Sequence, residues 1–186
     1  MTDFMQSIII SGLPASGKTT VAEIIAKKLH IKAVNGSDIL KEVAISMGYK
    51  ISGENWWDTK EGLKFLNERK SNSRIDKETD RIFVKKIASE RIVATSYTMP
   101  WLSPRGFKVW LSASTENRAK RMAKRDGTSI SKALNIVKVR DVENYKIYKR
   151  LYGIEFGRDT SPFDLAIKTD KIRASKVADI IIAAVR

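Results

Sequence analysis

The chain has no cysteine and a single histidine among its 186 residues. That composition excludes disulfides and thiolate metal sites and suits a reducing cytosol. His30, at the end of the first predicted helix, reads as a cap or a surface residue. Long apolar runs are also missing, and none approaches the ~18 residues that a membrane-crossing helix needs. The opening MTDFMQSIII carries an acid and a short apolar run, which reads as a first strand and not as a signal peptide. Acidic residues are scarce beside basic ones, 21 against 35, for a formal charge of +14. The basic residues occur singly or in pairs such as Lys27-Lys28 and Lys85-Lys86, without one run interleaved with aromatics. This pattern fits a site for polyanionic substrates plus solvated lysines, and it argues against a nucleic-acid partner. The expectation is one cytoplasmic domain over residues 1–186, a monomer or small homo-oligomer, with small mobile lids.

What the chain does have is a complete phosphate-binding loop. Residues 12–19 read GLPASGKT: Gly12, Leu13, Pro14, Ala15, Ser16, Gly17, Lys18 and Thr19, with Thr20 following. The loop comes directly after the apolar run Ser7-Ile8-Ile9-Ile10 and enters a helical pattern with Val21, Ile24, Ile25 and Leu29 on one face. This strand–loop–helix setting is what gives the motif its meaning. Gly12 and Gly17 let successive N–H groups turn inward, and the helix N-terminus adds partial positive charge. Lys18 is placed to reach the β- and γ-phosphates of ATP, and Thr19 to hold Mg²⁺ through its hydroxyl. Without a cluster of metal-binding side chains, Mg²⁺ carried by the nucleotide is the expected metal.

Strand and helix signals then alternate without repeats or low-complexity linkers. A short strand at 31–34 precedes an Asn35-Gly36-Ser37 turn, and Asp38 caps a helix through 47. A loop at 48–53 leads to Trp56-Trp57. Asp58 or Thr59 caps a helix to about 70, and 76–91 is helical. The run 92–95 is a buried strand, after which Pro100 and Pro104 break the pattern. A strand at 107–111 carries Trp110 as core. Thr115 opens a helix to 125, Asp126-Gly127 stops it, and a long helix runs over 129–151. The last strand is 163–167 and the closing helix 173–186. Strands separated by helices at these distances predict a doubly wound parallel α/β sheet of about five strands. Ligands in such sheets sit at the carboxyl ends of the strands, where the phosphate loop lies.

Switches and motors of the phosphate-loop class end a second strand in an acid that supports Mg²⁺ and orients water. Here 92–97 reads Ile-Val-Ala-Thr-Ser-Tyr, with no carboxylate, and a guanine-selecting NKxD is absent. A kinase needs no such acid; it aligns an acceptor, neutralises charge and excludes water. Arg118, Arg121 and Arg125 stand at i, i+3 and i+7, on one helix face, and Arg140 follows on the next helix. A planar guanidinium fork suits a transferring phosphoryl group. Gly127 marks a hinge for a lid over about 125–150. Tyr97 and Trp101 fall at the carboxyl end of a core strand, facing the ligand crevice. Trp56 and Trp57 either line the acceptor or pin the insert to the core.

Over nearly its whole length the chain resembles the nucleoside monophosphate kinases, most closely archaeal-type cytidylate kinases. The resemblance rests on ISGLPASGKTTVAEIIAKKL, GSDILKE, IDKETDR, KVWLSASTENRAKRMAKRDG, RLYGIEF and SPFDLAIKT. It implies a P-loop NTPase core, an acceptor-binding helical insert over about 38–75, and an arginine-bearing lid. It places Asp38 near Mg²⁺ waters or the acceptor, and Thr169 and Asp170 near the adenine. Where the family ends its third strand in Glu-Gly-Arg, this chain has Thr95-Ser96-Tyr97. Lys41 replaces a helix-start arginine, and Tyr145 and Ile147 stand where further arginines are expected. Donor-side residues are kept while acceptor-side residues change. The expectation is therefore an ATP-dependent kinase whose catalytic set is Lys18, Arg121, Arg125 and Arg140. Its acceptor is a small phosphorylated metabolite, such as a mevalonate phosphate, bound among Asp38, Lys41, Trp56, Trp57, Tyr97 and Trp101. The alternative is a divergent cytidylate kinase acting on CMP or dCMP. A more remote one is a nucleotide-dependent nucleic-acid binder.

Overall fold

Ile8, Ile9 and Ile10 are all fully buried, which a strand achieves only when helices cover both faces of its sheet. They lie in β1 (Ile8–Ser11), the central strand of a five-stranded sheet in the computed structural model, which describes residues 6–51, 56 and 59–185. The other strands are β2 (Lys32–Asn35), β3 (Ile92–Thr95), β4 (Phe107–Ser112) and β5 (Leu165–Lys168). Their order is β2-β3-β1-β4-β5 and every pairing is parallel, with Ile10 beside Thr95 on one side and Val109 on the other. The strand count, the parallel sense and the α/β class are as the sequence pattern predicts.

The period-2 alternation of β1 sends its side chains to opposite layers. Ile8 and Ile10 join Val21 and Ile25 of α1 (Lys18–Leu29) and Val177 and Ile181 of α8 (Ala174–Val185). Ile9 joins Ile39 of α2 (Gly36–Ser46), Phe83 and Ile87 of α4 (Ser73–Ser89), and Met99 of the short helix α5 (Met99–Leu102). Between α2 and α4 lies α3 (Lys60–Ser71), capped by Thr59, whose hydroxyl accepts from the Gly62 N–H. Helices α2, α3 and α4 share a small core with Trp56, made of Leu40, Val43, Ala44, Trp56, Phe65 and Ile75. Beyond β4, α6 (Thr115–Asp126) packs against α7 (Ile130–Tyr152) through Ala119, Met122, Ala123, Ala133 and Val137.

Several boundaries differ from the sequence reading. The N-cap of α2 is Asn35 and not Asp38. Asp38 sits at the third helical position and accepts the Asn35 backbone N–H at 3.0 Å, completing a capping box, so the expected turn residues Gly36 and Ser37 are helical. Helix α4 begins three residues earlier than predicted because Asn72 caps it, accepting from the Arg74 N–H. Pro100 does not break the chain; it lies in the first turn of α5, where a missing N–H costs nothing. Strand β5 starts two residues later and ends one later than its apolar pattern, because Leu165–Lys168 is the stretch that pairs with β4.

Candidate active site

At the carboxyl end of β1 the neighbouring strands diverge, and the chain enters the phosphate loop there. Gly12 adopts φ 149°, Ala15 φ 62° and Gly17 φ 101°, conformations that curl the loop back on itself. A Cβ at Gly12 would meet the Leu111 carbonyl oxygen at 2.2 Å, so only glycine fits. Helix α1 starts at Lys18 with no side-chain cap and no acid in its first turn. Its first N–H groups are therefore open to an anion. The Ser16 hydroxyl is buried in the loop without a partner. Thr19 and Thr20 are exposed on the same first turn.

The Lys18 ammonium donates to the carbonyls of Gly12 at 2.8 Å and Leu13 at 3.0 Å. It also stands 4.8 Å from the centre of the Tyr97 ring. Burial, and then the charges of Arg140 and Arg118, lower its pKa to about 7, with Asp141 opposing. A curled loop leading into an uncapped helix N-terminus, an orphaned hydroxyl and a desolvated lysine in a cationic field fit a polyphosphate. Thr19 is the residue that would hold Mg²⁺ there, and among the described residues no group of three or more His, Cys, Asp or Glu offers a separate metal site.

The arginines divide their tasks. Arg118, which sequence spacing grouped with the charge neutralisers, is 1% exposed. It grips Asp141 of α7 through two bonds, 2.9 and 2.7 Å, and donates to the Pro14 carbonyl at 3.2 Å. Arg121 donates to the Ser16 carbonyl at 3.1 Å, the Thr169 hydroxyl at 3.0 Å and the Thr169 carbonyl at 2.7 Å. It therefore ties the loop to the segment after β5. Arg125 pairs with its neighbour Asp126 at the surface, and its field reaches Tyr97. Arg140, on the exposed side of α7, acts on both Lys18 and Tyr97. Lys18, Arg140 and Tyr97 thus act on one another, with the charge of Arg125 felt at Tyr97, while Arg121 is engaged with the Ser16 carbonyl and Thr169.

Thr169 is buried, and its hydroxyl donates to the Ser112 carbonyl at 3.0 Å. One Asp170 oxygen accepts from the Ser114 N–H, the Ser114 hydroxyl and Asn117 Nδ2 at 2.9, 2.9 and 2.6 Å. The Asn117 and Ser114 bonds depress the Asp170 pKa to about 2. Asp170 braces the start of α6, and its second oxygen is buried without a partner.

On the acceptor side two residues change role. Trp56 is fully buried, packs on Tyr49 and Phe65, and donates its indole N–H to the Lys50 carbonyl at 2.9 Å. It pins the insert, and its place in the acceptor-binding set is corrected: a ring with no exposed surface cannot line a substrate. Trp101 donates to Asp159 at 2.9 Å and meets Phe156 and Phe163 edge-on, so its indole is also committed to packing. Trp57 lies outside the described residues. Asp38 spends one carboxylate oxygen on Asn35, and Lys41 is partly buried one turn further along α2. Tyr97 remains in the site, packed against Tyr148 and Phe156. Trp110 is core, as predicted.

A polar wall that the sequence reading did not assign adjoins Tyr97. Asp80 of α4 accepts from the Thr98 hydroxyl at 2.9 Å and from the Tyr152 hydroxyl of α7. Burial raises its pKa against those two bonds. Arg69 of α3 donates twice to Asp76, at 2.9 and 2.7 Å. Tyr148 stands within the fields of Tyr97, Arg69, Asp76 and Asp80, and burial pushes its phenol up. One signal was available. Asp76 and Asp80 are four apart and flank the apolar stripe Ile75, Thr79, Phe83, and Tyr148 and Tyr152 repeat the spacing on α7.

The model of the cytidylate kinase-like family matches residues 7–171 of the chain. A cytidylate kinase of Sulfurisphaera tokodaii is 35% identical over 94% of this chain and 92% of its own length. A second, from Pyrobaculum arsenaticum, is 33% identical over 89% of this chain and 84% of its own. Among solved structures, a shikimate kinase from Acinetobacter baumannii in complex with shikimate superposes with a TM-score of 0.54 at 17% identity. It covers 95% of this chain and 91% of that one.

Proposed function

The chain belongs to the cytidylate kinase-like family and is a kinase, and on that premise we propose that it transfers the γ-phosphoryl group of ATP to a nucleoside monophosphate, CMP or dCMP first. The observation that carries the reading is the 35% identity to a cytidylate kinase along almost the whole of both chains. This reverses the order of acceptors suggested by the sequence. Trp56 and Trp101, two of the residues expected to bind that smaller metabolite, are occupied with packing.

The site also favours an acceptor that already carries a phosphate. Asp141, the carboxylate whose field reaches Lys18, is held by Arg118 and is not free to act as a base. An alcohol acceptor must lose a proton, whereas a phosphate monoester is already ionised near neutral pH. Its oxygen attacks the γ-phosphorus, the bond to the β–γ bridging oxygen breaks, and ADP leaves. The inward loop N–H groups and Lys18 hold the β- and γ-phosphates. Arg125 and Arg140 compensate charge in the loose transition state, and Arg121 keeps the donor loop in place. Mg²⁺ on Thr19 would neutralise the phosphate oxygens. The enzyme acts in the cytoplasm on a small phosphorylated molecule and not on nucleic acid.

A smaller phosphorylated acceptor, a mevalonate phosphate among them, is the second reading. It is favoured by Tyr97, Tyr145 and Ile147 standing where acceptor arginines are expected. Tyr145 donates to Glu155 at 2.7 Å, and Ile147 joins the aromatic cluster around Trp110. An ATP-consumption screen over all nucleoside monophosphates and a panel of phosphorylated alcohols decides between them. Turnover of CMP with kcat/KM of about 10⁴ M⁻¹s⁻¹ or more, abolished in Lys18→Ala, is the expected result. Turnover confined to a phosphorylated alcohol would overturn it.

A further inference from the structure

Tyr148 is nine-tenths buried through its packed ring, while its hydroxyl oxygen is not among the buried atoms and no hydrogen bond within the described residues engages it. That leaves the hydroxyl open to a ligand. Tyr152, four residues on and on the same face of α7, spends its hydroxyl on Asp80. Asp80 receives one hydroxyl on each oxygen, from Thr98 and Tyr152. A carboxylate has about four acceptor positions, so this one keeps capacity after both bonds are made. The Asp80 oxygens are held by α4, by the segment after β3 and by the end of α7 at once, which fixes their direction. Tyr97 lies between this wall and Lys18, its ring on Tyr148 at 5.9 Å and facing the ammonium at 4.8 Å. An acceptor whose phosphate lies toward Lys18 and Arg140 would therefore extend its other end along Tyr97 to Asp80 and Tyr148.

We infer that Asp80 and Tyr148 read the base of the acceptor: Asp80 accepts from an exocyclic amine, and the Tyr148 hydroxyl donates to the ring nitrogen or carbonyl beside it. The inference deepens the proposed function and rests on it. The edge of cytosine presents an amine donor next to two acceptors. Uracil presents a carbonyl where the amine would be, and that oxygen would face a carboxylate. A site built to bond a donor rejects the analogue lacking it, because its own buried acceptor is left unpaired. Asp80 and Tyr148 are thus specificity determinants, distinct from the Lys18 and arginine set that handles phosphate.

The test compares wild type, Asp80→Asn and Tyr148→Phe in steady-state assays with CMP and UMP at saturating ATP, alongside ATP titrations and thermal melting. The wild type is expected to prefer CMP. Asp80→Asn, whose amide can donate to uracil, should narrow the CMP-to-UMP ratio of kcat/KM by at least about tenfold. Tyr148→Phe removes a hydroxyl that no residue uses, so the melting temperature should hold. The KM for CMP should rise about three- to tenfold with the KM for ATP unchanged. Should Asp80→Asn not fold, Tyr148→Phe decides alone. An unchanged CMP KM in Tyr148→Phe, or equal losses toward both acceptors in Asp80→Asn, would assign these residues to bracing α4 against α7 and overturn the inference. Those results leave CMP turnover by the wild type intact, whereas a wild type that turns over no nucleoside monophosphate overturns the proposed function and this inference together.

Discussion

In the free protein the Lys18 ammonium rests on two loop carbonyls, against the Tyr97 ring, with Arg118 and Arg140 close by. Burial first and those cations second bring its pKa to about 7. The unfolded chain binds the proton up to about pH 10.4. Between the two values the unfolded state holds more protons, so this group favours folding increasingly as pH rises through that window, and the benefit is gone below pH 7. A polyphosphate reverses the balance by stabilising the charged form. Nucleotide binding at pH 8 should therefore take up about one proton. Calorimetry in two buffers of different ionisation enthalpy measures this directly, and binding without proton uptake would contradict the desolvated lysine. Affinity for ATP should weaken between pH 7 and 9, and the Lys18→Met variant should lose that dependence.

One side chain joins helices α6 and α7 to each other and to the phosphate loop. Arg118 leaves α6, spans to Asp141 on α7 and reaches the Pro14 carbonyl, with 2% of its side chain exposed against 24% for Asp141. Removing the guanidinium strands a half-buried carboxylate and takes away the bond to the Pro14 carbonyl. Buried pairs broken in this way lose about 3–5 kcal/mol, and the partial exposure of Asp141 brings the expectation for Arg118→Ala to about 2–4 kcal/mol. Urea denaturation measures it, and a change under about 0.5 kcal/mol would place Arg118 among surface charges. Asp141→Asn, which keeps an acceptor for one bond, should lose less.

Across the whole molecule, helix α7 is tied down at Asp141 by Arg118, at Tyr148 by Tyr97 and at Tyr152 by Asp80. Gly127, at φ 62° with nothing within 4 Å of a Cβ, marks the end of α6 and the free turn into α7. Closure over substrates should therefore be carried by residues 126–136 and by the insert, and not by the whole span 125–150. Hydrogen exchange with a two-substrate analogue should show new protection over 126–136 and 60–71, with little change over 141–152. Equal protection along all of α7 would instead favour a rigid lid pivoting as one body.

The phosphate loop, the five strands and their parallel sense were legible in the sequence because each depends on local order: glycines at fixed spacing, apolar runs of strand length, and helical periods between them. The capping of α2 was misplaced by three residues, since Asn35 and Asp38 are both competent caps and the reciprocal bond between them chooses. The arginines were found as a helical stripe, but i, i+3 spacing cannot say which one turns toward a buried acid. Asp141, 23 residues away from Arg118, decides that. The same holds for Trp56, whose burial depends on Phe65 and Tyr49 arriving from elsewhere in the insert. Sequence alone determined the phosphate loop and its place between β1 and α1, because a backbone cradle is written in consecutive residues. Only the tertiary structure brought Asp80, Tyr97, Tyr148 and Tyr152 to one wall, because side chains from α4, α7 and the segment after β3 meet by long-range packing that no local pattern encodes.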